Sequence, residues 1–232
     1  MTLARVRAAL LILVVLASAC SRDHKPAEPA QKPTLLLLTS LPLIFGEGFS
    51  VDGGSPALSA LREHYDVVPV SVTSPMELRK ARLLLMAQPL AQTPENLVAL
   101  DEWVRGGGRL MLLADPLLEW PSKRPLGDPL GPPPMFMDTG LLQHWGLRLD
   151  APDQRGAQTR RLGDAEILTA SPGSLEGGCE ISTDRLVASC EVGKGRAMII
   201  ADADFLEVEH MDGPSGRNLD ALLAELAKLT HK

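Results

Sequence analysis

Short apolar runs alternate with amphipathic stretches along the first half of this chain. Residues 34–40 (TLLLLTS), 82–86 (RLLLM) and 109–114 (RLMLLA) are continuous apolar runs, typical of strands buried on both faces of a sheet. Between them, residues 55–65 and 94–105 carry apolar side chains at helical spacing. A succession of strand, helix and strand at this spacing forms right-handed crossover units, so the pattern predicts a mainly parallel α/β sheet.

The two longer helices of this half carry recognisable start signals. Ser55 and Thr93 are capping residues, and each is followed by a proline at the first helical position. A short strand is expected at 66–72 (DVVPVSV), where Pro69 indicates a sheet edge because proline cannot donate to a central ladder. The remaining predicted elements are short helices at 75–80 and 140–146, short strands at 147–149 and 166–170, a buried strand at 195–201 and a closing amphipathic helix at 218–229.

Residues 116–138 interrupt this pattern with seven prolines. They predict a long loop that leaves the carboxyl end of a central strand. Loops of this kind are either functional or decorative, and Trp120 is the aromatic side chain that we expect to be exposed there as a contact.

Cys179 and Cys190 lie in a stretch, EGGCEISTDRLVASCEVGKG, that predicts a hairpin turning near Asp184 and Arg185. With a two-residue turn, positions whose numbers add to 369 face each other, which makes the two cysteines direct neighbours across the strands. A disulfide is therefore geometrically reasonable and would contribute about 3 kcal/mol in the chain-entropy model. Two buried thiols are the alternative, whereas a zinc site would need histidines nearby.

The first 20 residues, MTLARVRAALLILVVLASAC, have the pattern of an export signal. Arg5 and Arg7 form a positive segment, residues 8–16 an apolar core, and residues 17–19 the small side chains that a signal peptidase needs. The apolar run is shorter than the roughly 18 to 20 residues that span a bilayer, which makes a transmembrane helix the weaker interpretation.

Residues 16–20 (LASAC) resemble the lipobox of a bacterial lipoprotein signal. The resemblance implies a signal peptide at 1–19, cleavage before Cys20 and a diacylglyceryl group on its sulfur, with outer-membrane retention if the cell is Gram-negative. Ordinary secretory cleavage stays open, because the leucine stands one place further from Cys20 than is usual. Residues 20–33 are rich in Pro, Ala and charge and are expected to tether an α/β domain at 34–232 to the periplasmic side of the envelope.

Charge narrows the possible partners. The full chain has 23 basic and 29 acidic residues, and loss of Arg5 and Arg7 with the signal leaves 21 against 29, a formal charge of −8. This balance argues against nucleic acid and against electrostatic binding to an anionic membrane surface. Contact with the membrane is expected through the N-terminal lipid alone.

Polar side chains follow the predicted parallel strands, at the edge where open α/β sheets bind ligands. These candidates are Gln88, Asp115, Asp202 and Asp204. Asp202 and Asp204 could be paired carboxylates for a metal or for acid and base chemistry. We favour the alternative in which one of them caps the following turn and the other faces solvent.

Catalytic and cofactor signals are weak. The strand ends lack the G-x-S-x-G of a nucleophile elbow and its cysteine counterpart, and the five histidines form no ligand pair at helical spacing. We therefore expect no catalytic residue, no metal and no cofactor.

Three segments resemble the periplasmic domain of uncharacterised ABC transport systems, the kind found among gliding-motility auxiliary proteins. They are LLLMAQP with ENLVALDEWVRGGG (83–108), GRLMLLADP (108–116) and GKGRAMIIADADFL (193–206) with the helix that starts at Asn218. The resemblance covers residues 34–232. It implies a flavodoxin-like, class I glutamine-amidotransferase-like three-layer fold without the catalytic cysteine, with the hairpin as an addition.

The resemblance also implies an accessory role beside ABC transporter subunits. We therefore expect a non-catalytic, lipid-anchored binding domain whose recognition face consists of the loop 116–138 and the strand-end aspartates. One alternative is a hydrolase of an envelope substrate that uses Asp115 with Asp202 or Asp204, and it would require these carboxylates to line a pocket. The other is a structural envelope lipoprotein.

Overall fold

The computed structural model describes residues 31–44, 54–122, 124–125, 128, 131–211 and 215–231. The expected signal peptide, Cys20 and the tether up to residue 30 lie outside the described residues. Residues 32–232 belong to one compact unit. Among the described residues, no helix is both long enough and apolar enough to cross a membrane.

A mixed sheet forms the centre of the fold, and in the described part of the chain it has seven strands. Across the sheet they are β2 (Asp66–Pro69), β1 (Thr34–Thr39), β3 (Leu83–Ala87), β4 (Arg109–Leu113), β11 (Gly195–Ile200), β10 (Val187–Val192) and β9 (Glu180–Ile181). The first five run parallel, and β10 and β9 run antiparallel. The apolar runs do form the buried central strands, and the strand that contains Pro69 lies at the edge, which confirms both predictions.

Helices cover this sheet. They are α1 (Pro56–His64), α2 (Pro75–Leu78), α3 (Pro94–Arg105), α4 (Leu141–His144) and α5 (Asn218–His231). The predicted caps are present, since Ser55 Oγ accepts from Leu58 N at 3.1 Å and Thr93 Oγ1 accepts from Asn96 N at 3.4 Å. Gly195 allows α3 to lie directly on β11, because a Cβ at that position would sit 1.9 Å from the carbonyl oxygen of Val104.

Two small antiparallel pairs lie apart from the central sheet. They are β5 (Leu147–Asp150) with β8 (Ser174–Gly177), and β6 (Ala157–Leu162) with β7 (Ala165–Ala170). The apolar patterns predict β5 and β7 but neither of their partners. Strand β6 has the sequence AQTRRL and buries only its last side chain, while β8 has four residues and ends in glycine, so neither carries an apolar pattern.

The hairpin has the predicted register and the disulfide. Ile181 faces Ala188 and Glu180 faces Ser189, and both pairs of numbers add to 369. One step further along the same register, Cys179 and Cys190 are joined, with their Cα atoms 4.9 Å apart. The hairpin therefore ties the antiparallel edge of the sheet through a covalent bond.

The carboxyl ends of the central parallel strands meet at one edge of the sheet. Thr39 is in register with Ala87, Ala87 with Leu113, and Leu113 with Ile200. The segments that follow these strands therefore start side by side. Gln88 is the first residue after β3, whereas Asp115 and Asp202 are the second residues after β4 and β11.

Candidate functional site

Three carboxylates come together beyond the ends of β4 and β11. Asp115, Asp202 and Asp204 each bring one carboxylate oxygen within 4.8 Å of the others. Their exposed fractions are 0%, 0% and 2%, so the group is sealed from solvent. Burying even one isolated carboxylate is costly, and three of them together require compensation.

Asp115 is the most completely hydrogen-bonded member of the cluster. Its Oδ1 accepts from Leu117 N at 2.9 Å, and its Oδ2 accepts from Ala203 N at 2.9 Å. The bond to Leu117 is local, whereas the bond to Ala203 joins the end of β4 to the end of β11. The side chain therefore fixes the geometry between the two strands that deliver the cluster.

Asp202 and Asp204 are each held by one oxygen only. Asp202 Oδ1 accepts from Phe205 N at 2.9 Å, and Asp204 Oδ2 accepts from Glu119 N at 2.8 Å. The second oxygen of each side chain, Asp202 Oδ2 and Asp204 Oδ1, is buried and has no hydrogen-bond partner among the described residues. Unpaired buried acceptors of this kind are rare in folded proteins and require an explanation.

Gln88 connects the cluster to the other strands. Its Oε1 accepts from Asp115 N at 3.0 Å, while its Nε2 donates to Asp115 O and to Pro133 O, each at 3.2 Å. Ser40 Oγ donates to the Gln88 carbonyl. The backbone of Gln88 has a φ of 43°, a region that favours glycine. Strain at a residue with so many fixed contacts indicates that the surrounding structure imposes the conformation.

The proline-rich loop forms the cover of this edge. Phe136 N donates to the backbone oxygen of Asp115 at 2.6 Å, and Leu118 N donates to Pro134 O at 2.9 Å. The bond from Phe136 to Asp115 and the bond from Gln88 to Pro133 fasten the loop to the strand ends, and the bond between Leu118 and Pro134 closes the loop on itself. The strand ends are therefore closed by the chain itself, which the sequence pattern does not predict.

Ser171 extends the buried polar network to Glu119, which is exposed. Ser171 is fully buried with a φ of 49°, and its Oγ accepts from Gly156 N and donates to Glu119 Oε1, both at 2.8 Å. Glu119 in turn holds Asp204 through its backbone. Sequence reasoning missed both residues, because neither lies directly beyond a central strand. A polar residue at the end of a short apolar strand, as in TAS at 169–171, was the available signal.

Asn218 is a further buried polar residue without a sequence signal beyond the start of a helix. Its Nδ2 donates to Leu168 O at 2.8 Å and to Phe205 O at 2.9 Å, and its Oδ1 accepts from Leu168 N at 2.9 Å. The amide thereby fixes the short 3₁₀ helix at Asp204–Leu206 against β7. Asn218 therefore holds the turn that carries Asp204 through the carbonyl of Phe205.

Burial shifts the protonation of all three aspartates in the same direction. Burial raises the pKa of Asp115 to about 6, although hydrogen bonds from Ala203 and Leu117 oppose the rise. Burial and then the charge of Asp115 raise the pKa of Asp204 to about 8. Burial, followed by the charges of its two neighbours, raises the pKa of Asp202 well above its usual range. Without a counter-charge, the cluster retains protons at neutral pH.

The structure thus brings four of the five sequence candidates together, namely Gln88, Asp115, Asp202 and Asp204, and buries them. Asp202 caps the turn through Phe205, as expected for one aspartate. The expectation that the other faces solvent is wrong for Asp204, because the loop and the 3₁₀ helix enclose it. Trp120 is half-buried and packs against the core. Its indole is therefore less available as a contact than the sequence suggests.

A cavity of about 780 Å³ lies in another part of the molecule, beside the disulfide. Its lining includes three cationic side chains, and each already has an acidic partner. Arg105 pairs with Asp101 at 2.7 Å, Lys228 pairs with Glu225 at 2.9 Å, and Arg196 pairs with Glu191. Since these charges are paired within the protein, the cavity offers no unbalanced cation to recognise an anionic ligand.

Comparisons with known proteins bear on the fold. No protein-family model and no curated protein sequence matches the chain. Among solved structures, it is similar to the exo-β-1,4-mannosidase Op5Man5 from Opitutaceae bacterium strain TAV5, with a TM-score of 0.51 and 16% identity over 86% of this chain and 36% of that one. It is also similar to the GH42 β-galactosidase Gan42B, with a TM-score of 0.50 and 14% identity over 86% of this chain and 30% of that one.

The chain thus spans about a third of the length of these two glycosidases. The N-terminal domain of mmIFT52 gives a TM-score of 0.53 at 12% identity, over 84% of this chain and 97% of that domain. At these identities the similarities show a shared α/β fold and nothing about activity.

Proposed function

We propose that this protein is a non-catalytic, lipid-anchored accessory domain on the periplasmic side of a bacterial envelope, which binds a subunit of an ABC-type transport system. The observation that carries the proposal is the closed strand-end edge. In open α/β sheets this edge is where ligands bind, and here the proline-rich loop is hydrogen-bonded across it. The surface left to a partner is the outside of the loop.

The described part of that surface carries exposed apolar side chains. Met135 and Met137 of the loop are 50% and 52% exposed, and Leu90, which follows β3, is 56% exposed. Leu90 and Met137 line the same small cavity of about 20 Å³. Exposed apolar side chains that lie together mark interaction sites, and methionine adapts its shape to a partner surface. We call these three residues the loop patch.

The order of the parallel strands supports the finer fold assignment. The succession β2-β1-β3-β4-β11 follows the 2-1-3-4-5 order of flavodoxin-like folds. The fold resemblance to amidotransferases without their cysteine, expected from the sequence, is consistent with this order. We propose a flavodoxin-like domain to which the antiparallel strands β10 and β9 have been added.

The hydrolase alternative is less well supported by the geometry. Its carboxylates would have to contact a substrate, whereas Asp115, Asp202 and Asp204 are at most 2% exposed. None of the three lines the cavities of about 780, 510 and 20 Å³. A structural envelope role would leave the loop patch without a partner. Crosslinking distinguishes this role from the accessory role.

Crosslinking in intact cells tests the partner. We expect the wild-type protein to crosslink to a membrane-spanning or ATP-binding subunit of an ABC system, and the double variant Met135→Glu, Met137→Glu to lose at least about 80% of that product, because two charges enter an apolar contact. Met76→Glu is the matched control, since Met76 is 65% exposed and lies on α2. Equal crosslinking by both variants, or no ABC subunit among the products, would contradict the proposal.

Processing of the N-terminus tests the anchor. Cys20→Ser removes the sulfur that would carry the lipid, so we expect an uncleaved precursor without incorporated fatty acid. Gel mobility and labelling with radioactive palmitate measure both properties, and Cys179→Ser is the control for loss of a cysteine elsewhere. Normal cleavage of the Cys20→Ser protein would show ordinary secretion instead.

A further inference from the structure

We infer that Asp115, Asp202 and Asp204 form a binding site for one calcium ion that holds the strand ends together. This inference is independent of the partner proposed above. One oxygen from each side chain lies within 4.8 Å of the others, and oxygen is the ligand atom that hard divalent cations prefer.

The second observation is the pair of unsatisfied oxygens. Asp202 Oδ2 and Asp204 Oδ1 are buried and accept no hydrogen bond from the described residues, although the other oxygen of each side chain does. Each carboxylate is thus oriented by a backbone N–H and leaves one oxygen for a further ligand. This arrangement is the pre-organisation that a metal site needs.

The excess of negative charge around the cluster also favours a divalent cation. None of the ion pairs among the described residues involves these three aspartates. The exposed carboxylate of Glu119 adds a further negative charge nearby. A divalent cation supplies the missing positive charge at the centre of the group.

The burial of the cluster favours calcium over magnesium. Magnesium retains several of its waters and demands near-ideal octahedral geometry, whereas calcium accepts a flexible arrangement of oxygen ligands at about 2.3 to 2.6 Å. The three side chains are sealed from solvent, and their carboxylates are held in place by four backbone hydrogen bonds. The ion that tolerates irregular ligand positions therefore fits them better.

Thermal unfolding with added metal is the test. The purified full-length protein is stripped with EDTA, transferred to metal-free buffer and heated with rising concentrations of calcium, with magnesium and manganese in parallel. We expect a saturable rise of Tm of about 5 to 10 °C once calcium exceeds its Kd a hundredfold. Calorimetric titration is expected to give one calcium per chain.

Asp202→Asn is expected to weaken calcium binding at least about tenfold and to remove the rise of Tm at the same calcium concentration. Asp204→Asn is the second variant, should the first fail to fold. Asp153→Asn, an exposed aspartate outside the cluster, is the control and is expected to respond like the wild type. The inference is overturned if calcium gives no saturable shift, if magnesium gives the larger shift, or if Asp202→Asn keeps the full response.

Discussion

Raising the pH from 5 to 8 in metal-free buffer is expected to lower the free energy of unfolding by an amount on the order of several kcal/mol. In the folded protein, burial raises the pKa of Asp115 to about 6 and that of Asp204 to about 8, and it raises the pKa of Asp202 further above its usual range. In the unfolded chain, aspartates titrate near 3.9. The folded state therefore retains protons that the unfolded state releases.

The sign of this effect follows from linkage. Well below a pH of about 3.9 both states are protonated and the cluster costs no stability through ionisation. As the pH rises towards 8, the unfolded state is favoured by up to about 1.4 kcal/mol per pH unit for each retained proton. The free energy of unfolding is thus highest at low pH, where all three aspartates are protonated. It falls as the pH rises through their folded-state pKa values.

Urea unfolding at pH 5, 6.5 and 8 in the presence of EDTA measures the effect. Asp204→Asn is expected to flatten the pH dependence and to be more stable than the wild type at pH 8, because an amide is neutral throughout. Asp153→Asn tests whether removal of any aspartate suffices, and we expect it to follow the wild type. An Asp204→Asn protein whose stability falls as steeply as that of the wild type would disprove the account of the cluster.

The positions of the site residues were predictable from the sequence, whereas their burial was not. Gln88, Asp115 and Asp202 follow apolar runs, and strands that run parallel end at the same edge, so the sequence places them together. Burial depends on how residues 116–138 fold back, through bonds such as that from Phe136 N to Asp115 O. A proline-rich loop has no periodicity from which its path can be read.

The same contrast appears elsewhere in the molecule. The disulfide between Cys179 and Cys190 could be predicted because the position and length of a hairpin's turn determine which residues face each other across its two strands. Ser171 and Asn218 were missed, since their roles depend on segments distant in sequence, Glu119 for the first and Phe205 for the second. Local patterns determine the elements here, and tertiary contacts determine the buried polar network.

Phe205→Ala is expected to lower the free energy of unfolding by about 3 to 5 kcal/mol, a loss comparable to that caused by raising the pH. Phe205 is the largest fully buried side chain among the described residues. Its loss leaves a cavity in a core that is held from both sides, because its backbone N donates to Asp202 and its carbonyl accepts from Asn218. With these bonds in place, the surrounding chain can close the cavity only in part, which puts the cost in the upper half of that range.

Phe136→Ala provides the comparison, because this half-buried phenylalanine belongs to the loop over the same site. We expect Phe136→Ala to cost less than about 2 kcal/mol, because the half-buried Phe136 ring has less apolar area buried away from water than the Phe205 ring has. Phe205→Leu, which fills most of the cavity, is expected to recover more than half of the loss, and urea unfolding at pH 6 measures all three. If Phe136→Ala cost as much as Phe205→Ala, the loop would be part of the cooperative core rather than a cover fastened to it by backbone hydrogen bonds.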